Sequence, residues 1–354
     1  MLLTKPIPDL NETFQSYVIR LARFNHYKFE HWSLYLSQES VSYRGRTKSD
    51  RDQLSNFVHQ STGMDDVLQL FDQWMFFEEG KLYFDYKAIK ICPACFAANK
   101  NKLLAKWSFR NYVVCSEHSC LLVDSCTNCG ELITERCIHS LRCSKCDFSL
   151  EDLSNKKIES DYFSKRINEL IDNGLLEERD VLIDELSWQH RQIRAMSFLV
   201  YQDDSKFWRS KRNYSIEQKH EHQSAIGKLL ENPELLLQTL SAYLESKFEQ
   251  GETDLGTALI KFNRYLANES CPQLIFAAKK LINSFPFDES QTAGIIWLSN
   301  LYNIEKSTFK NFVQLNFECL LFKNRVISAS HAAKVIDAYF TLEQLGALGV
   351  NTIN

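Results

Sequence analysis

Cys92-Pro93-Ala94-Cys95, Cys115-Ser116-Glu117-His118, Cys126-Thr127-Asn128-Cys129 and Cys143-Ser144-Lys145-Cys146 are four pairs of soft ligands, each with two residues between its members. Nine of the chain's eleven cysteines lie in this stretch. A two-residue spacer lets two thiolates, or a thiolate and an imidazole, point at one ion from a tight turn, as tetrahedral zinc requires. Four half-sites of this kind predict two structural zinc ions in a zinc ribbon-like module.

Two ligand arrangements are open. In the sequential one, Cys92, Cys95, Cys115 and His118 hold one ion, and Cys126, Cys129, Cys143 and Cys146 hold the other. In a cross-braced one, the first and third pairs share an ion, as do the second and fourth. The seven residues from Ser119 to Ser125 are more than a cross-brace normally leaves. Sequential pairing also closes shorter loops at lower entropic cost, and it is preferred. Cys120, Cys137 and His139 are further donors, with Cys137 the closest rival to Cys143. Each has the alternative of being a buried residue without a metal.

Working outward, the 354 residues suffice for two or three domains, and 44% hydrophobic content supports packed cores. Only eleven Gly and six Pro are present, so a mainly α fold is expected. The formal charge of −4 argues against a general-purpose duplex binder, which normally carries a basic face. Nucleic-acid contact should therefore be local or shared with partners. Lys5, Pro6 and Pro8 interrupt the position where a secretory signal would run, and no apolar stretch reaches membrane-spanning length. The expected setting is the cytoplasm, where paired cysteines favour metal over disulfides.

Three regions are expected. Residues 1–86 form an N-terminal helical domain. Its Phe14, Tyr17, Val18, Leu21 and Ala22 recur at helical spacing, then Phe29, Trp32, Leu34 and Leu36 follow a break at Asn25-His26-Tyr27. That outline is a helix-turn-helix. Lys48 to Asp52 is expected as a polar connection. Residues 87–150 form the tandem zinc-binding module. Residues 151–354 form a C-terminal helical domain with a second helix-turn-helix near 292–340. There Ser307 and Thr308 are candidate caps, and a strand or turn and a supporting helix follow over Arg325 to Tyr339.

Lys106-Trp107-Ser108-Phe109-Arg110 interleaves aromatic and basic residues. Such a run stacks on bases, or supplies the small core that a zinc module needs; the second reading is preferred. Trp208-Arg209-Ser210-Lys211-Arg212 is a basic cluster of the kind that binds phosphate. Lys106, Trp107, Arg110, Arg209, Lys211 and Arg212 are thus the candidates for nucleic-acid or partner contact. No catalytic residue stands out. Both quartets are filled, whereas a catalytic zinc keeps a position for water. The chain has no H-x-E to accompany Cys92-Pro93-Ala94-Cys95, and His220-Glu221-His222 lacks zinc-peptidase spacing.

The order CPxC, Trp107, CxxH, Leu121-Leu122, CxxC and CxxC resembles that of the TniQ family, targeting proteins of Tn-seven-like transposons. The opening is similar too: Pro6-Ile7-Pro8, then Glu12-Thr13-Phe14-Gln15-Ser16-Tyr17 and Ile19-Arg20-Leu21-Ala22-Arg23-Phe24-Asn25. This resemblance covers residues 1–150 well and the remainder in outline. It implies a non-enzymatic, bacterial adaptor for RNA-guided transposition. Such a protein docks as a homodimer on a Cascade effector carrying guide RNA and recruits an AAA+ regulator of the TnsC kind, with target DNA met indirectly. The alternative branch, TnsD-like, binds a fixed attachment site directly.

Overall fold

The computed structural model describes residues 4–9, 11–31, 48–64, 83, 85, 89–99, 101–172, 179–201, 214–260, 262, 265, 271–317, 320–322 and 326–344. It is mainly helical, as expected, and divides into two compact units. The first comprises residues 1–189 and 213–224; the second comprises 190–212 and 225–354. This differs from the expected division at 86 and 150, and the core explains why. Ile19 from the N-terminal helix, Phe96, Trp107 and Val114 from the cysteine-rich region, and Ile167, Leu182 and Leu186 beyond it share one hydrophobic cluster. A small metal module buries too little surface alone, so it is built into a larger core.

In the first unit, α1 (Phe14–Phe24) starts at Thr13, whose side chain accepts from the Ser16 amide at 3.1 Å. Its Tyr17, Val18, Leu21 and Ala22 are buried at helical spacing. The chain breaks at Asn25 and at His26, which has φ +59°, and is helical again at residues 29–31. Trp32, Leu34 and Leu36, needed for the first helix-turn-helix, lie outside the described residues. Lys48 to Asp52 is not a connection: it opens α2 (Lys48–Thr62), since none of those residues breaks a helix. There follow α3 (Pro93–Ala98), a 3-10 turn (Ala105–Ser108), the hairpin β1 (Val114–Cys115) and β2 (Cys120–Leu121), and α4 (Glu135–Ser140). Next come α5 (Tyr162–Asp172), α6 (Arg179–Tyr201) and α7 (Ile216–Glu231); the division between units runs through the last two. Asp161 caps α5, accepting from the Phe163 and Ser164 amides at 3.0 and 3.1 Å.

In the second unit, α8 (Pro233–Glu249) is capped by Asn232 and packs against α10 (Pro272–Ser284), with the short α9 (Leu255–Ala258) between them in sequence. Next come β3 (Thr292–Gly294), α11 (Ile295–Leu301), α12 (Lys306–Phe317), β4 (Leu321–Phe322), β5 (Val326–Ser328) and α13 (Ala329–Gln344). The three strands form an antiparallel sheet in the order β3-β5-β4. A helix-turn-helix backed by a three-stranded sheet is the arrangement of a winged helix. The turn between α11 and α12 places Asn303 at φ +55°. The expected caps differ: Glu305 caps α12 and accepts from the amides of Ser307 (3.0 Å) and Thr308 (2.5 Å), while the Ser307 hydroxyl donates to it. A carboxylate at a helix start satisfies orphan amides and meets the positive end of the helix dipole.

Candidate metal centres

The first quartet is assembled by a helix start and a hairpin. Cys92 is the residue before α3, Pro93 opens the helix, and Cys95 follows within its first turn. Cys115 ends β1, and the turn through His118 reverses at Ser119, with φ +46°. Cys92 Sγ and Cys95 Sγ lie 3.6 and 3.1 Å from His118 Nδ1, Cys115 Sγ lies 3.7 Å from it, and the Cys95 and Cys115 sulfurs are 3.6 Å apart.

The second quartet consists of two similar knuckles. Cys126 N donates to Glu131 O at 2.7 Å, and Gly130 N donates back to Cys126 O at 2.8 Å. Cys143 N donates to Phe148 O at 2.8 Å, and Asp147 N to Cys143 O at 3.0 Å. Each pair is followed by a left-handed residue, Gly130 (φ +73°) or Asp147 (φ +58°), which turns the chain back on itself. The Cys126–Cys146 and Cys129–Cys143 sulfurs are both 3.6 Å apart.

All four ligand atoms of each quartet lie within 4.8 Å of one another, in the sequential arrangement. A tetrahedral ion with Zn–S near 2.3 Å and Zn–N near 2.05 Å separates two sulfurs by ~3.8 Å and a sulfur and a nitrogen by ~3.6 Å. The observed edges of 3.6–3.7 Å fit that polyhedron, with Cys95–His118 shorter at 3.1 Å, so both quartets can hold a metal ion of zinc's size and preference. Thiolate is the form that binds, and the surroundings favour it in places. The Asn128 side chain and then the Phe148 backbone draw the Cys146 thiol down to about 6. Cys115 is held below its ordinary value by the neighbouring thiols of Cys120, Cys92 and Cys95.

Of the spare donors, Cys137 and His139 stand apart on α4. Cys137 Sγ meets Thr134 Oγ1 at 3.4 Å and Ser144 Oγ at 3.6 Å, and the His139 ring packs edge-on to Phe29. Cys120 is different, with its sulfur 3.7 Å from that of Cys92. Cysteine counting alone did not reveal its place, which depends on the register of the hairpin.

Of the residues named for nucleic-acid or partner contact, Trp107 and Lys106 sit as the preferred small-core reading of their run expects. Trp107 is 2% exposed, inside the shared core. Lys106 pairs with Glu117 Oε1 at 2.8 Å and sits over the Tyr112 ring. Burial draws its ammonium down, but Tyr112 and Glu117 outweigh this and raise it to about 12. Both side chains are engaged as internal support of the metal region. Arg110 is half-buried, with its amide donating to Tyr83 O at 2.7 Å. Arg209, Lys211 and Arg212 lie outside the described residues. Other basic residues of this region are also turned inward. Lys102 reaches Asp9 at 2.5 Å, and Lys90 is wholly buried, donating to the carbonyls of Phe109 (2.7 Å) and Tyr112 (3.1 Å). Burial pulls the Lys90 ammonium down to about 7, against the pull of Asp85.

Residues beyond the cysteines brace the region, and no motif announced them. Ser164 Oγ on α5 accepts from the Val113 and Val114 amides, and Asn168 Oδ1 accepts from Tyr112 OH at 3.2 Å. Among the described residues, no helix is long and apolar enough to cross a membrane. No curated protein matches the chain. The TniQ family model matches residues 3–122, which include α1 and the whole first quartet. Over that segment, about a third of the chain, it is similar to the TniQ family.

Proposed function

We propose that this protein is a non-enzymatic target-selection adaptor for RNA-guided DNA transposition. In this reading it docks on a guide-RNA-loaded Cascade effector as a homodimer and recruits an AAA+ regulator of the TnsC kind. The observation that carries it is the TniQ match over residues 3–122. The acidic net charge of −4 and the inward-turned lysines around the first quartet suit a protein-binding adaptor better than a stand-alone duplex reader.

Each quartet holds one zinc ion in this proposal: Cys92, Cys95, Cys115 and His118 the first, Cys126, Cys129, Cys143 and Cys146 the second. Zinc supplies a cross-link between short elements and so contributes to their folding. Four protein ligands per ion leave no position for a reacting water.

Co-purification with guide-RNA-loaded Cascade at low salt tests the adaptor role, and no association there would sink it. A second reading rests on a separate observation, the helix-turn-helix α11–α12 backed by the β3-β5-β4 sheet. That arrangement supports direct recognition of an attachment site by α12. A gel shift with attachment-site duplex against competitor DNA, at several salt concentrations, separates the two readings.

A further inference from the structure

A fifth thiol, that of Cys120, lies beside the four donors of the first metal centre. Cys115 and Cys120 are cross-strand partners in the β1–β2 hairpin, so their side chains leave the same face of the ribbon. Cys120 Sγ stands 3.7 Å from Cys92 Sγ, close to the ~3.8 Å that separates two thiolates sharing one zinc. It is fully buried, and Asn155 Nδ2 donates to its sulfur at 3.0 Å. Amide donation of this kind supports a thiolate on a metal.

His118 is the contrasting ligand. It is the only half-exposed member of its quartet, at the tip of the turn, where water can compete for its place. The hairpin around it is fixed independently of the imidazole. Leu121 N donates to Lys156 O, Ile158 N to Ser119 O, and Lys157 Nζ to His118 O. Departure of the imidazole would therefore leave Cys120 in place.

We propose that Cys120 is a reserve ligand of the first centre, taking the coordination position of His118 when the imidazole leaves. One zinc–nitrogen bond breaks and one zinc–sulfur bond forms, and the Cys120 proton passes to the departing imidazole. No oxidant is needed. Three thiolates become four while His118 becomes a cation, so total local charge is unchanged. The centre would keep its ion through an exchange that strips a site with only four donors.

This inference rests on the reading that the quartets hold zinc, and metal content of the full-length wild type separates the two. Fewer than two ions per chain would refute the zinc assignment itself. Given two ions, His118→Ala should retain both. After cobalt substitution its seven metal-bound thiolates become eight, raising the thiolate-to-cobalt band about 1.1-fold. His118→Ala with Cys120→Ser should fall to one ion. One ion in His118→Ala alone overturns the proposal. If that variant is insoluble, Cys120→Ser alone decides. Transfer of one of its two zinc ions to a chromogenic chelator should be several-fold faster than in wild type, and equal rates overturn the proposal.

Discussion

The carboxylate of Glu12 and the guanidinium of Arg20 form a two-pronged ion pair inside the first unit, with both contacts at 2.7 Å. Ser16 Oγ donates to the same carboxylate at 2.7 Å and accepts from the Leu103 amide at 2.8 Å; Arg20 also reaches Ile7 O. Burial pushes the Glu12 carboxyl up, and Arg20 and Ser16 pull it back. Five residues on, Asn25 accepts from Thr4 N at 2.9 Å and donates to the carbonyls of Thr4 and Leu21. The opening motif shared with the TniQ family is thus a clamp. It ties the chain's lead to α1 and ties α1 to the segment after the first cysteine pair.

Arg20→Met should destabilise the first unit by about 3–5 kcal/mol, because it strands a buried carboxylate. Glu12→Leu combined with Arg20→Met should cost much less than the sum of the single changes, since no charge is then left unpaired. Urea unfolding followed by tryptophan fluorescence measures both. Additive losses would show that the pair is not coupled.

The second quartet makes a sharper distinction than residue counting could. Cys143→Ser should leave one ion per chain, whereas Cys137→Ser should leave two, because Cys137 Sγ is engaged by Thr134 and Ser144 outside the quartet. Atomic emission on the purified variants gives the numbers. Loss of an ion in Cys137→Ser would reassign the ligand set.

Trp107 carries weight as core rather than as a stacking surface. Trp107→Ala should lower stability by about 3–5 kcal/mol through the cavity it leaves. Trp107→Phe keeps most of the volume, so it should cost less and leave binding to Cascade or duplex unchanged. A selective loss of binding in a well-folded Trp107→Phe protein would restore the contact role.

The ligand quartets were legible in the sequence because a two-residue spacer is local geometry: the knuckle forms wherever it lies in the fold. The place of Cys120 was not, because it follows from pairing with Cys115 across the hairpin. Of the C-terminal sheet, only β5 falls where a strand or turn was expected; β3 and β4, of three and two residues, are too short for an alternating pattern to register. The role of Lys106 and Trp107 depended on what packs against them, including α5 some sixty residues later. Glu12 and Arg20 marked a family before any physical role for them was visible, since their partners Ile7 and Leu103 are fixed only by the tertiary fold.

Glu305 supplies the last prediction. Hydrogen bonds from Ser307 and Thr308 hold its carboxyl down to about 2, below its ordinary 4.5. A carboxyl lowered by folding stabilises the native state above its unfolded value, and that contribution fades as pH falls through the folded one. Glu305→Gln should therefore melt earlier than wild type at neutral pH, with the gap closing between about pH 4.5 and pH 2. Comparing the two proteins at each pH cancels acid release of metal, which both share. The amides of Ser307 and Thr308 should lose hydrogen-exchange protection first. A gap that stays constant across that window would mean the carboxylate's charge contributes nothing to the start of α12.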